Sequence, residues 1–321
     1  MGASDRTPEP QGTVADAALG NWVDRLAPEL TRPYLRLSRA DRPIGTWLLL
    51  LPCWWGLALG AAETGWRPGD AWIWLGCAAG AWLMRGAGCT WNDITDRDFD
   101  AAVARTRSRP IPSGQVTVRR ALIWMAVQMA LAGAILMTFN WAAILLGLSS
   151  LVLVAIYPFA KRFTWWPQVF LGLAFNWGAL LAYTAHGGRL GLPALFLYAA
   201  GIAWTLFYDT IYAHQDKEDD ALIGVKSTAR LFGAATAKWL GLFLVATVTL
   251  LATAILIALV GNGRPLQLAV ALAAPWAAGW HLLWQMRRLD IDDPAVCHRL
   301  FLSNRDTGLL IALFLATGAF L

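Results

Sequence analysis

Two short acidic stretches carry most of the chemistry that the sequence suggests. The first, WNDITDRDFD, runs from residue 91 to 100, and the second, YDTIYAHQDKEDD, from 208 to 220. Carboxylates packed this closely repel one another, and their burial costs free energy unless a cation compensates them. Each stretch is followed by a basic loop, RTRSRPIPSG at 105–114 and IGVKSTARLFG at 223–233. We therefore expect a multivalent cation and an anionic substrate at these positions.

Helical spacing places several of these carboxylates on common faces, because residues four, seven or eleven positions apart share a face at 3.6 residues per turn. The first stripe consists of Asn92, Asp96 and Asp100, and Arg85 extends it toward the apolar segment. The second stripe consists of Asp209, Asp216 and Asp220, with Tyr212 between them. If the two stripes face each other across a helical bundle, at least four carboxylates converge on one cavity.

Magnesium fits such a cavity best. Mg²⁺ prefers oxygen ligands, takes few protein carboxylates and completes its shell with water and substrate phosphates, whereas Ca²⁺ takes a fuller cage of oxygens. Aspartates flanked by arginine and lysine suit a diphosphate, whose oxygens the metal bridges while basic side chains neutralise the rest. The sequence contains neither a Walker lysine loop nor GxGxxG, which argues against a nucleotide. An isoprenoid diphosphate with its tail in the bilayer is the expected substrate.

The elements that position these residues are predicted to be membrane helices. The chain has 321 residues, of which 57% are hydrophobic and 15% charged, with a mean hydropathy of +0.48; a soluble domain has about 25% charged residues. Apolar runs near the roughly 20 residues of a span recur. They predict an all-α, polytopic membrane bundle of about nine transmembrane helices with cytoplasmic cap loops, at 44–62, 71–91, 120–139, 141–159, 167–185, 192–210, 237–260, 266–285 and 307–321.

Basic residues predict how this bundle is oriented. Lysine and arginine are concentrated before the first span and after the second, fourth, sixth and eighth, and the positive side of a membrane protein is cytoplasmic. The N-terminus and both acidic stretches are therefore expected in the cytoplasm, and the C-terminus outside. The sequence pI near 9.2 reflects this asymmetry, and no nucleic acid is expected as a partner.

The N-terminal part differs from the rest of the chain. Residues 1–40 are predicted to be a polar cytoplasmic tail with an interfacial amphipathic helix around 21–38, and residues 41–321 the membrane domain. The tail has neither the apolar core of a signal peptide nor the composition of a mitochondrial transit peptide. We therefore expect a multi-pass protein of the bacterial inner membrane rather than the mitochondrial inner membrane.

From about residue 38 to the C-terminus, the chain resembles the UbiA superfamily of intramembrane aromatic prenyltransferases. Its first acidic stretch is similar to the NDxxDxxxD motif of that family and its second to the DxxxD motif. Further similar stretches are RPIGTWLLLLP at 42–52, YPFAKRFTWWPQVFLGLAFNWG at 157–178 and the two basic loops. The resemblance implies Mg²⁺-dependent transfer of a polyprenyl group from its diphosphate to an aromatic ring, with 4-hydroxybenzoate of ubiquinone biosynthesis as the expected acceptor.

The resemblance also implies roles for individual residues. Asp96 and Asp100, with Asn92, would hold one Mg²⁺, and Asp216 and Asp220 a second. Neutralisation of the pyrophosphate is expected from Arg105, Arg109, Lys161, Arg162 and Lys226. Aromatic faces for an allylic cation are expected from Tyr157, Tyr208 and Tyr212. On the acceptor side, Asp209 would polarise the phenol hydroxyl, and Arg42 or Arg162 would pair with the benzoate carboxylate. Arg85 is a further substrate-binding candidate, because an arginine inside a span is functional or paired by default.

Two other functions remain open at this point. The same chemistry could act on a naphthoate, homogentisate, haem or chlorophyllide-type ring. Alternatively, the chain could be a magnesium-binding or cation-transporting membrane protein, which predicts carboxylates deep within spans. Here both acidic stretches lie at span ends beside basic loops, and this placement favours the enzyme.

Overall fold

A computed structural model of the protein describes residues 20–102, 106–222 and 224–321, except for the side chains of Ala102 and Asp219. These residues form α-helices, short 3-10 turns and loops, and no strand occurs among them. The α-helices are α1 (Trp22–Leu26), α2 (Arg32–Leu37), α3 (Ile44–Thr64), α4 (Asp70–Thr95), α5 (Arg97–Ala102), α6 (Val118–Leu136), α7 (Trp141–Ile156), α8 (Ala160–Phe163), α9 (Pro167–Gly187), α10 (Leu192–Ala213), α11 (Lys217–Leu222), α12 (Thr228–Phe232), α13 (Thr236–Leu259), α14 (Pro265–Arg288) and α15 (Pro294–Ala319). The predicted all-α fold is confirmed.

Nine of these helices are long, and most can cross a membrane. Within the described part of the chain, eight helical segments combine sufficient length with an apolar composition, and they contain α3, α6, α7, α9, α10, α13, α14 and α15. The helix α4 has 26 residues but is less apolar, since Arg85 and the acidic stretch at its end interrupt it. Helices satisfy their own backbone hydrogen bonds, as a lipid environment requires. The protein is therefore a multi-pass α-helical membrane protein.

The prediction was wrong for the start of the last long helix. It was expected at 307–321, whereas α15 begins at Pro294. Asp293 caps this helix by accepting hydrogen bonds from the amides of Ala295 (2.8 Å) and Val296 (3.1 Å), and proline is favoured at the first helical position. The first turns of α15 are polar, so hydropathy does not indicate a membrane helix there. Asn304 in this polar part is nevertheless fully buried.

The predicted amphipathic helix at 21–38 was also wrong as a single element. The segment forms two short helices, α1 and α2, with an irregular connection between them. Ala27 has an extended conformation because it precedes Pro28, and a residue before proline avoids the helical region. Pro33 then lies in the first turn of α2, where its missing amide hydrogen costs nothing.

The chain forms two compact units, of which the first comprises Met1–Pro43 and Leu83–Ala130. Leu37, Val116 and Ala121 form one of its small buried clusters. Polar contacts add to this packing, since Ser38 Oγ donates to Gln128 Oε1 (3.0 Å) and accepts from Trp124 Nε1 (2.9 Å). These contacts attach the segment after α2 to α6 and thereby frame the acidic end of α4.

The second unit comprises Ile44–Trp82 and Leu131–Leu321 and contains the main hydrophobic core. Its helices α3 and α9 approach each other closely at Gly56, where a Cβ atom would lie 2.2 Å from the carbonyl oxygen of Ala179. Buried polar bonds also join α10, α14 and α15. Trp204 Nε1 donates to Asn304 Oδ1 (3.0 Å), and Asn304 Nδ2 donates to Gln285 Oε1 (3.0 Å). This network fixes α10, whose end leads into the second acidic stretch.

Candidate active site

The first aspartate segment, residues 92–100, lies where α4 bends into α5. The helix α4 ends at Thr95, Asp96 forms a bend, and α5 follows at once. The backbone hydrogen bonds continue through the bend, because the amide of Asp96 donates to the carbonyl of Asn92 (2.9 Å) and that of Asp100 to the carbonyl of Asp96 (2.8 Å). The structure therefore keeps Asn92, Asp96 and Asp100 in the helical register that the spacing predicts.

Asp93 is fully buried and binds a guanidinium group. The side chain of Arg39 donates to both of its carboxylate oxygens, at 3.0 and 2.5 Å. Arg39 also donates to the backbone carbonyl of Arg36 (3.0 Å). A bidentate arginine–carboxylate pair is among the strongest charge-assisted hydrogen bonds. Asp93 is thus paired inside the first unit, in agreement with its placement off the predicted metal stripe.

Asp100 also binds an arginine in this structure. Arg109 Nη1 lies 3.0 and 2.9 Å from the two oxygens of Asp100 and 3.5 Å from Asp93 Oδ1. Burial raises the pKa of the Asp100 carboxyl, and the positive charge of Arg109 opposes that shift. The hydroxyl of Thr106 donates to the carbonyl of Asp100 (2.9 Å), so the basic loop and the aspartate segment meet here.

The other arginines predicted in the first unit are less well connected to the aspartates. Arg42 is half-buried and donates to the neighbouring Asp41 at 3.3 and 3.1 Å. Arg85 is half-buried on α4, seven residues before Asn92. Arg105 lies outside the described residues.

The second aspartate segment, residues 209–220, belongs to the second unit. The helix α10 ends at Ala213, a 3-10 turn covers His214–Asp216, and α11 follows. Asp209, Asp216 and Asp220 are all half-buried. Next to Asp216, Lys217 Nζ donates to Asp292 Oδ1 (2.5 Å) in the loop that follows α14. The hydrogen bond and charge of Lys217 hold the pKa of the exposed Asp292 below its usual range.

The basic loops of the second unit come together around this segment. The amide of Lys226 donates to the carbonyl of Lys161 (3.2 Å), and Lys226 Nζ donates to the carbonyl of Phe163 (3.4 Å). Arg230 donates to the carbonyl of Asp220 (3.3 Å) and stacks on Trp165. Arg162 is exposed and lies over the ring of Phe159. Lys161, Lys226 and the end of the aspartate segment are thus linked through neighbouring loops.

Two of the three predicted tyrosines line the side of α10. Tyr208 is fully buried and packs edge-on against Trp204, with ring centroids 4.9 Å apart. Tyr212 packs against Phe301, with centroids 4.3 Å apart. The third, Tyr157, is half-buried at the start of a 3-10 turn after α7.

The donor set of the two segments fits a hard divalent cation. Asp96 and Asp100 have carboxylate oxygens and Asn92 has an amide oxygen, and the contact of Arg109 with Asp100 shows that a positive charge is accepted there. Among the described residues, no three acidic, histidine or cysteine side chains form a closed metal-binding cluster. Mg²⁺ does not need one, since it commonly takes one or two carboxylates and completes its shell with water and phosphate. The two aspartate segments belong to different units, and their convergence on one diphosphate stays a prediction.

Sequence reasoning missed Arg39 as the partner of Asp93, and it missed the contact of Lys217 with Asp292. Arg39 belongs to a cluster of basic residues that was interpreted only as a sign of membrane orientation. Asp292 lies 75 positions along the chain from Lys217. Nothing in the spacing indicates such pairs, because they form only through tertiary contacts.

These features define a multi-pass helical membrane protein with an aspartate-rich helix end and a second aspartate-rich segment, each contacted by basic residues. The chain belongs to the UbiA prenyltransferase family, whose model matches residues 49–316. It is 50% identical over 294 residues to the mitochondrial 4-hydroxybenzoate polyprenyltransferase of Bos taurus, covering 91% of this chain and 76% of that protein. It is 47% identical to the human protein of the same name, covering 97% of this chain and 81% of that protein.

The fold is also that of solved members of the family. A UbiA homolog from Archaeoglobus fulgidus bound to GPP and Mg²⁺ has a TM-score of 0.69 and 23% identity, with 89% of this chain and 98% of that chain covered. A UbiA homolog from Aeropyrum pernix K1 has a TM-score of 0.67 and 23% identity, with 85% and 96% covered. These similarities establish the membrane helical bundle.

Proposed function

We propose that the protein transfers a polyprenyl group from polyprenyl diphosphate to 4-hydroxybenzoate, ortho to the hydroxyl, and releases pyrophosphate, a step of ubiquinone biosynthesis. The observation that carries the proposal is the identity of 47–50% over more than nine tenths of the chain to relatives named for this activity. The two aspartate segments with their basic neighbours would supply the side chains that such a reaction needs.

Magnesium is the proposed cofactor. Asp96 and Asp100, with Asn92 as a further ligand or orienting group, would hold one ion, and Asp216 and Asp220 a second. When bound, Mg²⁺ neutralises the diphosphate and makes it a better leaving group. The UbiA homolog from Archaeoglobus fulgidus is bound to GPP and Mg²⁺, which supports this choice of metal and donor.

The protein's own side chains would complete the site for the leaving group. Arg105, Arg109, Lys161, Arg162 and Lys226 would bind pyrophosphate oxygens as the bond between the prenyl C1 and oxygen breaks, and the electron pair leaves with the pyrophosphate. Preorganised positive charge aimed at the leaving anion is usually the largest electrostatic contribution to such a step. Arg85 would contact the substrate further along α4.

The acceptor side would use a second set of residues. The aromatic faces of Tyr157, Tyr208 and Tyr212 would stabilise the allylic cation by cation–π contact. Asp209 would polarise the phenol hydroxyl, and Arg42 or Arg162 would pair with the carboxylate. The ring carbon ortho to the hydroxyl then forms the new carbon–carbon bond, and the ring loses its proton to solvent or to a nearby carboxylate.

The site is proposed to face the cytoplasmic side of a bacterial inner membrane. The distribution of basic residues supports a cytoplasmic site. The two relatives named above are called mitochondrial, which supports the mitochondrial inner membrane as the alternative. Fractionation of the source cells, with the protein detected by antibody, distinguishes these two membranes.

The test is prenyl transfer in membranes that contain the protein. Labelled 4-hydroxybenzoate and a long-chain prenyl diphosphate are supplied with Mg²⁺ or with EDTA, for wild type, Asp96→Ala, Asp216→Ala and the control Asp306→Asn, whose exposed partner is Arg305. We expect prenylated benzoate only with metal, in wild type and in the control. No product from folded wild type would refute the acceptor and require a panel of other rings. Product that forms undiminished in both Asp96→Ala and Asp216→Ala would refute the mechanism.

A further inference from the structure

Arg39 combines a strained backbone with a buried charge. Its φ of +55° is in the left-handed region, and no other non-glycine residue among those described has a positive φ. A non-glycine residue adopts this conformation at a cost that the surrounding structure must offset. The conformation directs the guanidinium group inward, where only 7% of the residue is exposed and both oxygens of Asp93 accept its hydrogen bonds.

Asp93 has two guanidinium neighbours, and they differ in how firmly they are held. Arg39 offers two nitrogens to the two carboxylate oxygens and is anchored on its other side by the carbonyl of Arg36. Arg109 lies 3.5 Å from Asp93 but only 2.9 Å from Asp100, and its side chain is more exposed than that of Arg39. Arg109 is therefore shared between two carboxylates, whereas Arg39 binds both oxygens of Asp93.

We propose that Arg39 is a positioning residue for the metal site: by holding Asp93 it leaves Arg109 as the displaceable counter-ion of Asp100. The inference rests on the proposed function, in which Asp100 is a metal ligand. While the site holds no metal, Arg39 and Arg109 supply the positive charges that contact Asp93 and Asp100. Arg109 would be able to turn from Asp100 toward the diphosphate once Asp100 holds the metal, and Arg39 would keep the buried Asp93 compensated throughout.

This arrangement predicts opposite effects for the two partners of one ion pair. In Arg39→Gln, the guanidinium that remains beside Asp93 is that of Arg109, which is drawn away from Asp100. The metal then meets less competition at Asp100. In Asp93→Asn, Arg109 loses its second carboxylate and is attracted to Asp100 alone, so the metal meets more competition. If the pair had only a structural role, Arg39→Gln and Asp93→Asn would change the metal affinity in the same direction.

The experiment measures Mn²⁺ binding to detergent-purified full-length protein without diphosphate, from the loss of the EPR signal of unbound Mn²⁺. We expect about fivefold tighter binding for Arg39→Gln and about fivefold weaker binding for Asp93→Asn, within the range of coupling between charges in one network. Arg109→Gln should bind Mn²⁺ more tightly, yet transfer the prenyl group more slowly because it lacks a proposed diphosphate contact. Arg39→Lys should lie between wild type and Arg39→Gln, since lysine keeps the charge but not the fork.

The double variant Arg39→Gln/Asp93→Asn shows whether Arg39 acts through Asp93. It buries no unpaired charge at this pair, and its Mn²⁺ affinity should equal that of Asp93→Asn. It also keeps the test decisive if Arg39→Gln alone does not fold. The control is Asp306→Asn, which removes the exposed pair of Arg305 with Asp306 (2.9 Å) on α15; it should leave Mn²⁺ affinity unchanged.

Two results would overturn the inference. One is a change in the same direction for Arg39→Gln and Asp93→Asn. The other is a loss of Mn²⁺ binding in Asp93→Asn as complete as in Asp96→Asn, which would make Asp93 a ligand. A wild-type protein that binds no Mn²⁺ and forms no product would instead refute the proposed function. The two failures are therefore distinguishable.

Discussion

The two aspartate segments differ in how deeply their carboxylates are buried. Asp93 and Asp100 of the first are buried and bind the guanidinium groups of Arg39 and Arg109. In the second, Asp216 and Asp220 are half-buried on a 3-10 turn and a helix of six residues. There the neighbouring basic side chains contact a backbone carbonyl and the exposed Asp292, as Arg230 and Lys217 do.

This difference indicates how each segment would receive a metal. In the first, buried ion pairs are little screened by solvent, and an incoming cation must compete with an arginine already in place. In the second, the position of the carboxylates depends on short backbone elements and on a solvent-exposed pair that salt weakens. Buried ion pairs thus hold the carboxylates of the first segment, whereas the exposed pair of Lys217 with Asp292 tethers the second.

The largest expected effect comes from lengthening one aspartate in each segment. Asp96 is 1% exposed, whereas Asp216 is half-buried and can relax outward. We expect Asp96→Glu to lower prenyl transfer about 100-fold and Asp216→Glu about tenfold, because overpacking a closed site costs roughly 1–3 kcal/mol. Initial rates in membranes at saturating Mg²⁺ measure both, with Asp306→Asn as the control. Equal losses of activity in the two variants would contradict the contrast between a buried and a half-buried segment.

A smaller effect is expected from the tether of the second segment. Asp292→Asn removes the charge that Lys217 contacts and loosens the turn that carries Asp216. We expect about a threefold rise in the Mg²⁺ concentration for half-maximal transfer at low salt, and no rise at about 0.5 M salt, where an exposed pair is screened. Salt titrations of wild type and variant measure this. A rise that persists in high salt would show that the tether does not act as an exposed ion pair.

The smallest effect is expected from the ion pair of Asp24 with Arg36 in the first unit. Burial raises the pKa of Asp24, but hydrogen bonds from Arg36 and Asn21 outweigh burial and lower the pKa overall. A lowered pKa in the folded state stabilises the protein above the ordinary carboxyl value near about 4, and this stabilisation is lost as the pH falls through the folded value. Asp24→Asn should therefore cost at most about 1 kcal/mol near neutral pH.

Thermal unfolding in detergent at neutral and acidic pH measures this contribution. The difference between wild type and Asp24→Asn should shrink as Asp24 becomes protonated. A difference that is unchanged in acid would mean that the pair acts through packing rather than charge. In that case the ion pairs of the first unit would differ in whether charge or packing makes them stabilising.

Local rules predicted much of the fold and part of the candidate site. Apolar runs of spanning length predicted the long helices, and the i, i+4 spacing predicted the register of Asn92, Asp96 and Asp100, which the backbone retains through the bend at Asp96. These rules failed at the start of α15, because Asn304 and its polar neighbours have the composition of a loop. Their place in a helix depends on tertiary contacts such as the hydrogen bonds of Asn304 with Trp204 and Gln285. The local rules also failed at 21–38, where two prolines divide one predicted helix into two.

The sequence by itself determined the class of the molecule, since hydropathy and helical periodicity act over a few turns and need no distant partner. It also marked which carboxylates share a face. Only the tertiary structure decided which of them are compensated and by what. The pairing of Arg39 with Asp93 joins residues 54 positions apart, and that of Lys217 with Asp292 joins residues 75 apart. The physical reason is that an ion pair needs a distance of a few ångströms, which chain folding sets and sequence spacing does not.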